Sequence, residues 1–115
     1  KFTIHDFLHI DFNMKFDVLV SNPPYIAKNK LSELQHEVKY YDPCLALTDN
    51  EDGLSFYRKL SDQFSKLLNP CGIFILEFGG NEQKQAVEDI FNKNNLKTNF
   101  FKDLQGKWRV VEVKR

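Results

Sequence analysis

The chain has 115 residues, enough for one modest domain with a buried core, and 42% hydrophobic with 28% charged residues exclude a disordered polymer. Sixteen basic residues balance sixteen acidic ones, which argues against strong non-specific or direct nucleic-acid binding. No apolar run approaches the roughly 20 residues that span a bilayer. Lys1 to Asp6 carries charges where a signal peptide would be apolar. Two cysteines, Cys44 and Cys71, lie in unrelated contexts without a histidine at ligand spacing. They read as reduced thiols of a cytoplasmic interior (an organelle matrix in a eukaryote), with no metal site.

Phe2 and Ile4 read as the end of a short strand, with His5-Asp6-Phe7 at its C-terminal edge, and Leu8 to Met14 as irregular or one helical turn. Phe16 to Val20 is a short, nearly all-apolar strand, as expected when both faces are covered. It stops at Ser21-Asn22-Pro23-Pro24-Tyr25. A long excursion from 26 to 52 follows, a length usually tied to function. Within it, Leu31, Leu34 and Val38 are at helical spacing, and Ser32 with Gln35 forms a capping box. Asp42-Pro43 breaks that helix, and Thr48 to Gly53 reads as a solvated turn.

Gly53 to Leu68 carries the clearest helical stripe, Leu54, Tyr57, Leu60, Phe64, Leu67 and Leu68, and Asn69-Pro70-Cys71-Gly72 ends it. Ile73 to Phe78 is a strand closed by Gly79-Gly80. Asn81 is read as the cap of a second helix that turns Ala86, Val87, Ile90 and Phe91 inward and stops at Asn94-Asn95. Thr98 to Lys102 and Trp108 to Val113 form an antiparallel hairpin, with Arg109 facing Asp103 and Trp108 in the core. Alternating β and α elements predict an α/β fold with a mostly parallel sheet and right-handed crossovers, the hairpin adding an antiparallel strand at one end. Ligands of such sheets sit at the carboxyl ends of strands. That rim gathers His5 to Phe7, Asn22 to Tyr25 and Glu77 to Gly80.

The corner after the first strand carries the chemistry. The Asn22 amide oxygen and the Pro23 carbonyl are acceptors, and Pro23 and Pro24 hold φ near −65° without an N–H. Tyr25 adds a flat ring. Two acceptors beside a ring suit a planar NH₂ group. Accepting both hydrogens returns electron density to a delocalised nitrogen and fixes its direction of attack. A cationic methyl donor is also favoured near an aromatic face. The competing structural reading is a plain turn, since Asn-Pro and Pro-Pro are ordinary turn signals. Glu77 reads as a structural acid, and His5, His9 and His36 lack a nucleophile or metal partner at recognisable spacing. Asp42-Pro43 and Asp52-Gly53 shape a lid-like excursion.

Asn22-Pro23-Pro24-Tyr25 resembles the signature of class I methyltransferases that methylate amino groups with S-adenosylmethionine. Glu37-Val38, Tyr41, Pro43, Ala46-Leu47, Asp52-Gly53-Leu54, Tyr57, Leu76-Glu77, Lys102-Asp103-Leu104 and Arg109-Val110-Val111 narrow the resemblance to the HemK/PrmC family. Its members methylate the glutamine side-chain nitrogen in the Gly-Gly-Gln motif of peptide-chain release factors. The resemblance implies that Asn22 and the Pro23 carbonyl hold the glutamine amide, that Pro24 and Tyr25 wall the pocket, and that Asp6 and Phe7, with Asn22, contact the cofactor.

Measured against that family, residues 1–115 are expected to form the C-terminal half of a Rossmann-like methyltransferase sheet, strands four to seven and the tail of three. The glycine-rich cofactor loop and the N-terminal substrate domain are not in this sequence, and no Gly-x-Gly occurs in it. An unpaired edge on the first strand is then expected to favour self-association. Two other readings stand beside protein glutamine methylation: a nucleic-acid adenine methyltransferase that extrudes the base into the same pocket, and a truncated, non-catalytic binding fragment.

Overall fold

Phe74, Leu76 and Phe78 alternate with Ile73, Ile75 and Glu77, the period-two pattern that sends successive side chains to opposite faces. The first three are buried and the others half-buried. In a computed structural model, which describes residues 2–9, 14–34 and 41–115, this segment is β2 (Leu68–Glu77), the strand around which the fold is assembled. Before it come β1 (Phe16–Ser21), a 3-10 helix at Lys28–Glu33, and helices α1 (Cys44–Leu47) and α2 (Ser55–Leu67). After it come α3 (Asn81–Asn92), β3 (Lys97–Lys102) and β4 (Trp108–Lys114).

The sheet order is β1-β2-β4-β3. β1 runs parallel to β2, and β4 is antiparallel to both its neighbours. Three strands therefore share a direction and β4 alone opposes them, the mostly parallel α/β sheet expected. The hairpin does more than extend one end, because its second strand inserts beside β2 and leaves β3 outermost.

Tyr57, Leu60, Phe64 and Leu67 of α2 and Val87 and Phe91 of α3 meet Phe74, Leu76, Val111 and Val113 in one core. Each such side chain stabilises the fold by about 1.5–3 kcal/mol on full burial. Phe64 packs edge-on against Phe74 with centroids 4.9 Å apart, and Phe78 does so against Phe100 at 5.4 Å. Trp108 packs at the margin of this core, with the ammonium groups of Lys84 and Lys102 over its ring at 5.3 and 4.8 Å. No described helix is long and apolar enough to cross a membrane.

Chain reversals match their residues. Between Leu68 and Ile73 the β1–β2 register jumps, Phe16 facing Leu68 and Val18 facing Ile73, so Asn69 to Gly72 bulges out. A Cβ on Gly72 would lie 2.9 Å from the Leu68 Cβ and 3.0 Å from the Phe16 carbonyl oxygen, so only glycine fits there. α3 ends where Asn95 takes φ +56° and the N–H groups of Asn95 and Leu96 donate to the carbonyls of Asn92 and Phe91. This is a Schellman turn with asparagine in the glycine position.

Five expectations need correction. Phe2 and Ile4 are fully exposed and in no strand. β1 is not covered on both faces: Phe16 and Leu19 pack against the core, but Val18 is 52% and Val20 74% exposed, because β1 pairs only with β2 among the described strands. At its described start the helix read from Leu31 is a 3-10 helix, Lys28–Glu33, without a side-chain cap; the remainder of that reading, Gln35 to Tyr40 with the capping box, lies outside the described residues. Asn81 does not cap α3, whose N-cap is Gly80. Thr48 and Gly53 are buried, so the turn between them is not simply solvated.

Candidate active site at the end of strand β1

β1 ends at Ser21, and two prolines then forbid continued strand pairing. Asn22 is exposed, Pro23 is buried, and Pro24 and Tyr25 are half-buried. The side-chain amide of Asn22 has no hydrogen-bond partner among the described residues. The corner thus presents a polar amide outward from a prolyl base.

Tyr25 is fixed at both ends. Its hydroxyl donates to Glu77 Oε1 at 2.9 Å, at the carboxyl end of β2. Its carbonyl accepts from Gln83 Nε2 at 2.7 Å, in the first turn of α3. Burial, then the hydrogen bond and charge of Glu77, push the Tyr25 phenol above its ordinary pKa, while the Arg109 guanidinium offsets part of this. Tyr57, fully buried on α2, donates to the Glu77 carbonyl at 2.6 Å, and its phenol is pushed up by burial. Two tyrosines, one in the loop after β1 and one on α2, therefore converge on Glu77, the first on its carboxylate and the second on its backbone carbonyl.

The rest of the excursion is tied to the same corner. Ile26 and Lys28 donate backbone N–H bonds to the carbonyls of Leu47 and Glu51, both at 2.9 Å. Asp49 accepts from the backbone N–H groups of Glu51, Gly53 and Ser55, all at 2.9 Å, and so caps α2 from six residues upstream. Burial raises the Asp49 pKa, but the hydrogen bonds from Ser55, Glu51 and Gly53 outweigh it and hold the carboxyl below its usual value. Arg58 pairs with Asp52, and Lys30 with Glu82, bridging the 3-10 helix to α3.

The three clusters of the expected rim are joined unequally. Glu77 and Gly79 meet Tyr25 directly or through Gln83. Phe7 stacks on Phe56 at 6.0 Å and lines an apolar cavity of about 410 Å³ that runs along β1 from Phe16 to Ser21, stopping one residue short of Asn22. Asp6 is exposed and accepts from the Leu8 N–H and bonds the His9 ring, which lowers its pKa. Tyr25 instead walls a second cavity of about 480 Å³ with Lys30, Leu54, Gln83 and Ala86. Arg109 pairs with Asp103 at 3.7 Å, as expected, and also donates to the Phe78 carbonyl at 3.3 Å. Glu37-Val38 and His36 lie outside the described residues.

Sequence reasoning missed the roles of Gln83 and Asp49. Gln83 carried a signal, since glutamine at the third helical position after a cap is half of a capping box. Here the bond lands one residue earlier, on Gly79. Asp49 carried none, because its bonds reach as far as six residues on.

The Eco57I restriction-modification methylase family model matches residues 1–97. The chain is 37% identical over 102 residues to a release factor glutamine methyltransferase of Clostridium acetobutylicum, covering 89% of this chain and 36% of that protein. It is 38% identical over 106 residues to one from Fusobacterium nucleatum, covering 92% and 30%. A bifunctional methyltransferase of Rickettsia felis is 43% identical over 98 residues, covering 84% and 18%. The chain thus spans about a third or less of the length of these relatives. The crystal structure of a methyltransferase from Pyrococcus furiosus superposes with a TM-score of 0.55 at 22% identity, over 86% of this chain and 40% of that one, a likeness of fold. The sheet is part of a class I methyltransferase fold, and the chain belongs to the Eco57I restriction-modification methylase family, with the resemblance to HemK/PrmC release factor glutamine methyltransferases upheld by its relatives.

Proposed function

We propose that the chain is the acceptor-side part of a longer enzyme that transfers a methyl group from S-adenosylmethionine to the side-chain amide nitrogen of the glutamine in the Gly-Gly-Gln motif of release factors. The observation that carries this reading is the corner itself: an exposed Asn22 amide on a buried Pro23, beside a Tyr25 tied to Glu77. Asn22 Oδ1 and the Pro23 carbonyl accept the two amide hydrogens, and Pro24 and Tyr25 hold the amide plane. The lone pair then points along one line as the N–C bond forms and the donor's C–S bond breaks. One amide proton passes to solvent. No strong base is required, because charge grows between groups already oriented for it.

The cofactor supplies an electrophilic methyl group. Residues here fit one part of it: Phe7 offers an apolar wall and Asp6 an exposed acceptor, suited to adenine and its exocyclic amine. The five glycines do not form a phosphate-loop-like turn after a strand of the Gly-x-Gly kind. We assign that turn, and a domain that binds the release factor, to other parts of the longer enzyme proposed here. Substrates of this kind place the activity where ribosomes work, in the cytoplasm or an organelle matrix.

The matching family model is named for a restriction-modification methylase, which keeps a nucleic-acid adenine as the second substrate, a reading the zero net charge opposes. Transfer of labelled methyl by the intact enzyme to a Gly-Gly-Gln protein and to DNA separates them. Label on the protein glutamine is expected, and label on DNA alone would overturn the reading. A protein that binds release factor but labels nothing would be the non-catalytic alternative.

A further inference from the structure

We propose that Gln83 is a positioning residue for the acceptor pocket: its side-chain amide clamps the Tyr25 carbonyl to the β2–α3 turn and thereby sets the direction of Asn22 and the Pro23 carbonyl. The assignment rests on the methyl-transfer reading above. Gln83 Oε1 accepts the Gly79 N–H at 2.9 Å while its Nε2 donates to the Tyr25 carbonyl at 2.7 Å. Only this orientation of the amide satisfies both groups. The loops around it pack closely. A Cβ on Gly53 would fall 2.2 Å from the Tyr25 oxygen and 2.9 Å from Gln83 Nε2, and one on Gly79 would fall 2.5 Å from Gln83 Oε1.

Two glycines from separate loops thus enclose one amide, and three segments meet on one carbonyl. Pro23 and Pro24 make this matter for chemistry. With φ locked at both residues, fewer backbone torsions remain to absorb a tilt of the Tyr25 carbonyl before it reaches Asn22. The hydroxyl bond to Glu77 fixes the far end of the same residue, so the ring cannot swing to compensate.

Gln83→Met and Gln83→Glu, made in the intact enzyme, test this by hydrogen exchange and steady-state kinetics. In Gln83→Met, the Gly79 amide should exchange about tenfold faster or more, as for loss of a net hydrogen bond, while Phe74 and Leu76 keep their protection. Its kcat should fall by about 30- to 100-fold with the KM for the methyl donor unchanged, the signature of misplacement rather than lost binding. In Gln83→Glu, the carboxylate still accepts from Gly79 but cannot donate to Tyr25, so Gly79 protection should return while kcat stays low. Unchanged Gly79 exchange in Gln83→Met, faster exchange spread equally to Phe74 and Leu76, or full kcat in Gln83→Glu would each overturn the clamp. Wild-type enzyme that labels no Gly-Gly-Gln protein refutes the substrate reading, and the exchange data still judge the clamp.

Discussion

Asn22 and Tyr25 sit three residues apart yet have different work. Asn22 exposes its amide, so Asn22→Ala should leave thermal stability nearly unchanged and lower kcat by about 100-fold or more, the scale for removing one preorganised polar contact to a transition state. Stopped methyl-transfer assays and a melting curve on the same sample check both halves. Tyr25 joins a wall to a strut. Tyr25→Phe keeps the ring and removes the bond to Glu77, costing about 1 kcal/mol of stability by urea titration, whereas Tyr25→Ala also removes the ring proposed to face the donor and should lose about tenfold more activity. Because the Tyr25 and Tyr57 phenols are both raised, their contribution is complete below pH 10 and is lost as pH climbs through the raised values. Gly53 is the most constrained position nearby. Its φ of +81° and its contact with the Tyr25 carbonyl make Gly53→Ala costly by about 2 kcal/mol or more, with activity falling alongside stability.

Among the elements, α2 shows how a helix without a local cap begins. Leu54 precedes it with no side-chain cap of its own, and Asp49 supplies the acceptor from across the loop. Asp49→Ala should destabilise the protein by about 2 kcal/mol, the upper range for a lost cap. The Asp49 pKa is lowered on folding, so its contribution is present above pH 3.8 and is lost as pH falls through the lowered value. Acid unfolding followed by circular dichroism should therefore begin at higher pH for wild type than its pH 7 stability alone implies, and Asp49→Ala should flatten that dependence. The strands β2 and β4 and the helices α2 and α3 were legible because each buries a periodic apolar set, and β1 because its apolar run stops at two prolines. The 3-10 helix and the 48–53 loop were not, because contacts that no periodicity marks hold them, Lys30 to Glu82 for the first and Asp49 to the N–H groups of Glu51 and Gly53 for the second. The Asn22–Tyr25 corner stood out in the sequence as a strand ended by Asn-Pro-Pro-Tyr, but its hydrogen-bond support at Gln83 did not.

At the scale of the molecule, one edge of the sheet is apolar and the other charged. β1 exposes Val18 and Val20, whereas β3 begins and ends with Lys97 and Lys102. Lysines blunt an edge against pairing, and valines invite it. The 115-residue chain by itself should therefore associate through β1 in sedimentation velocity runs, and Val18→Lys with Val20→Lys should shift it to monomer. Unchanged association in that double variant would point to another surface. β4 has a different bearing on the whole. As the chain leaves the ribosome, β1, α2 and β2 emerge before their antiparallel partner, so β2 stays an open template until Val110 to Val113 arrive to fill it. Nascent chains stalled before Trp108 should engage chaperones, and those stalled late enough to clear Lys114 should not. Synthesis and folding of this sheet are thus ordered by its last strand.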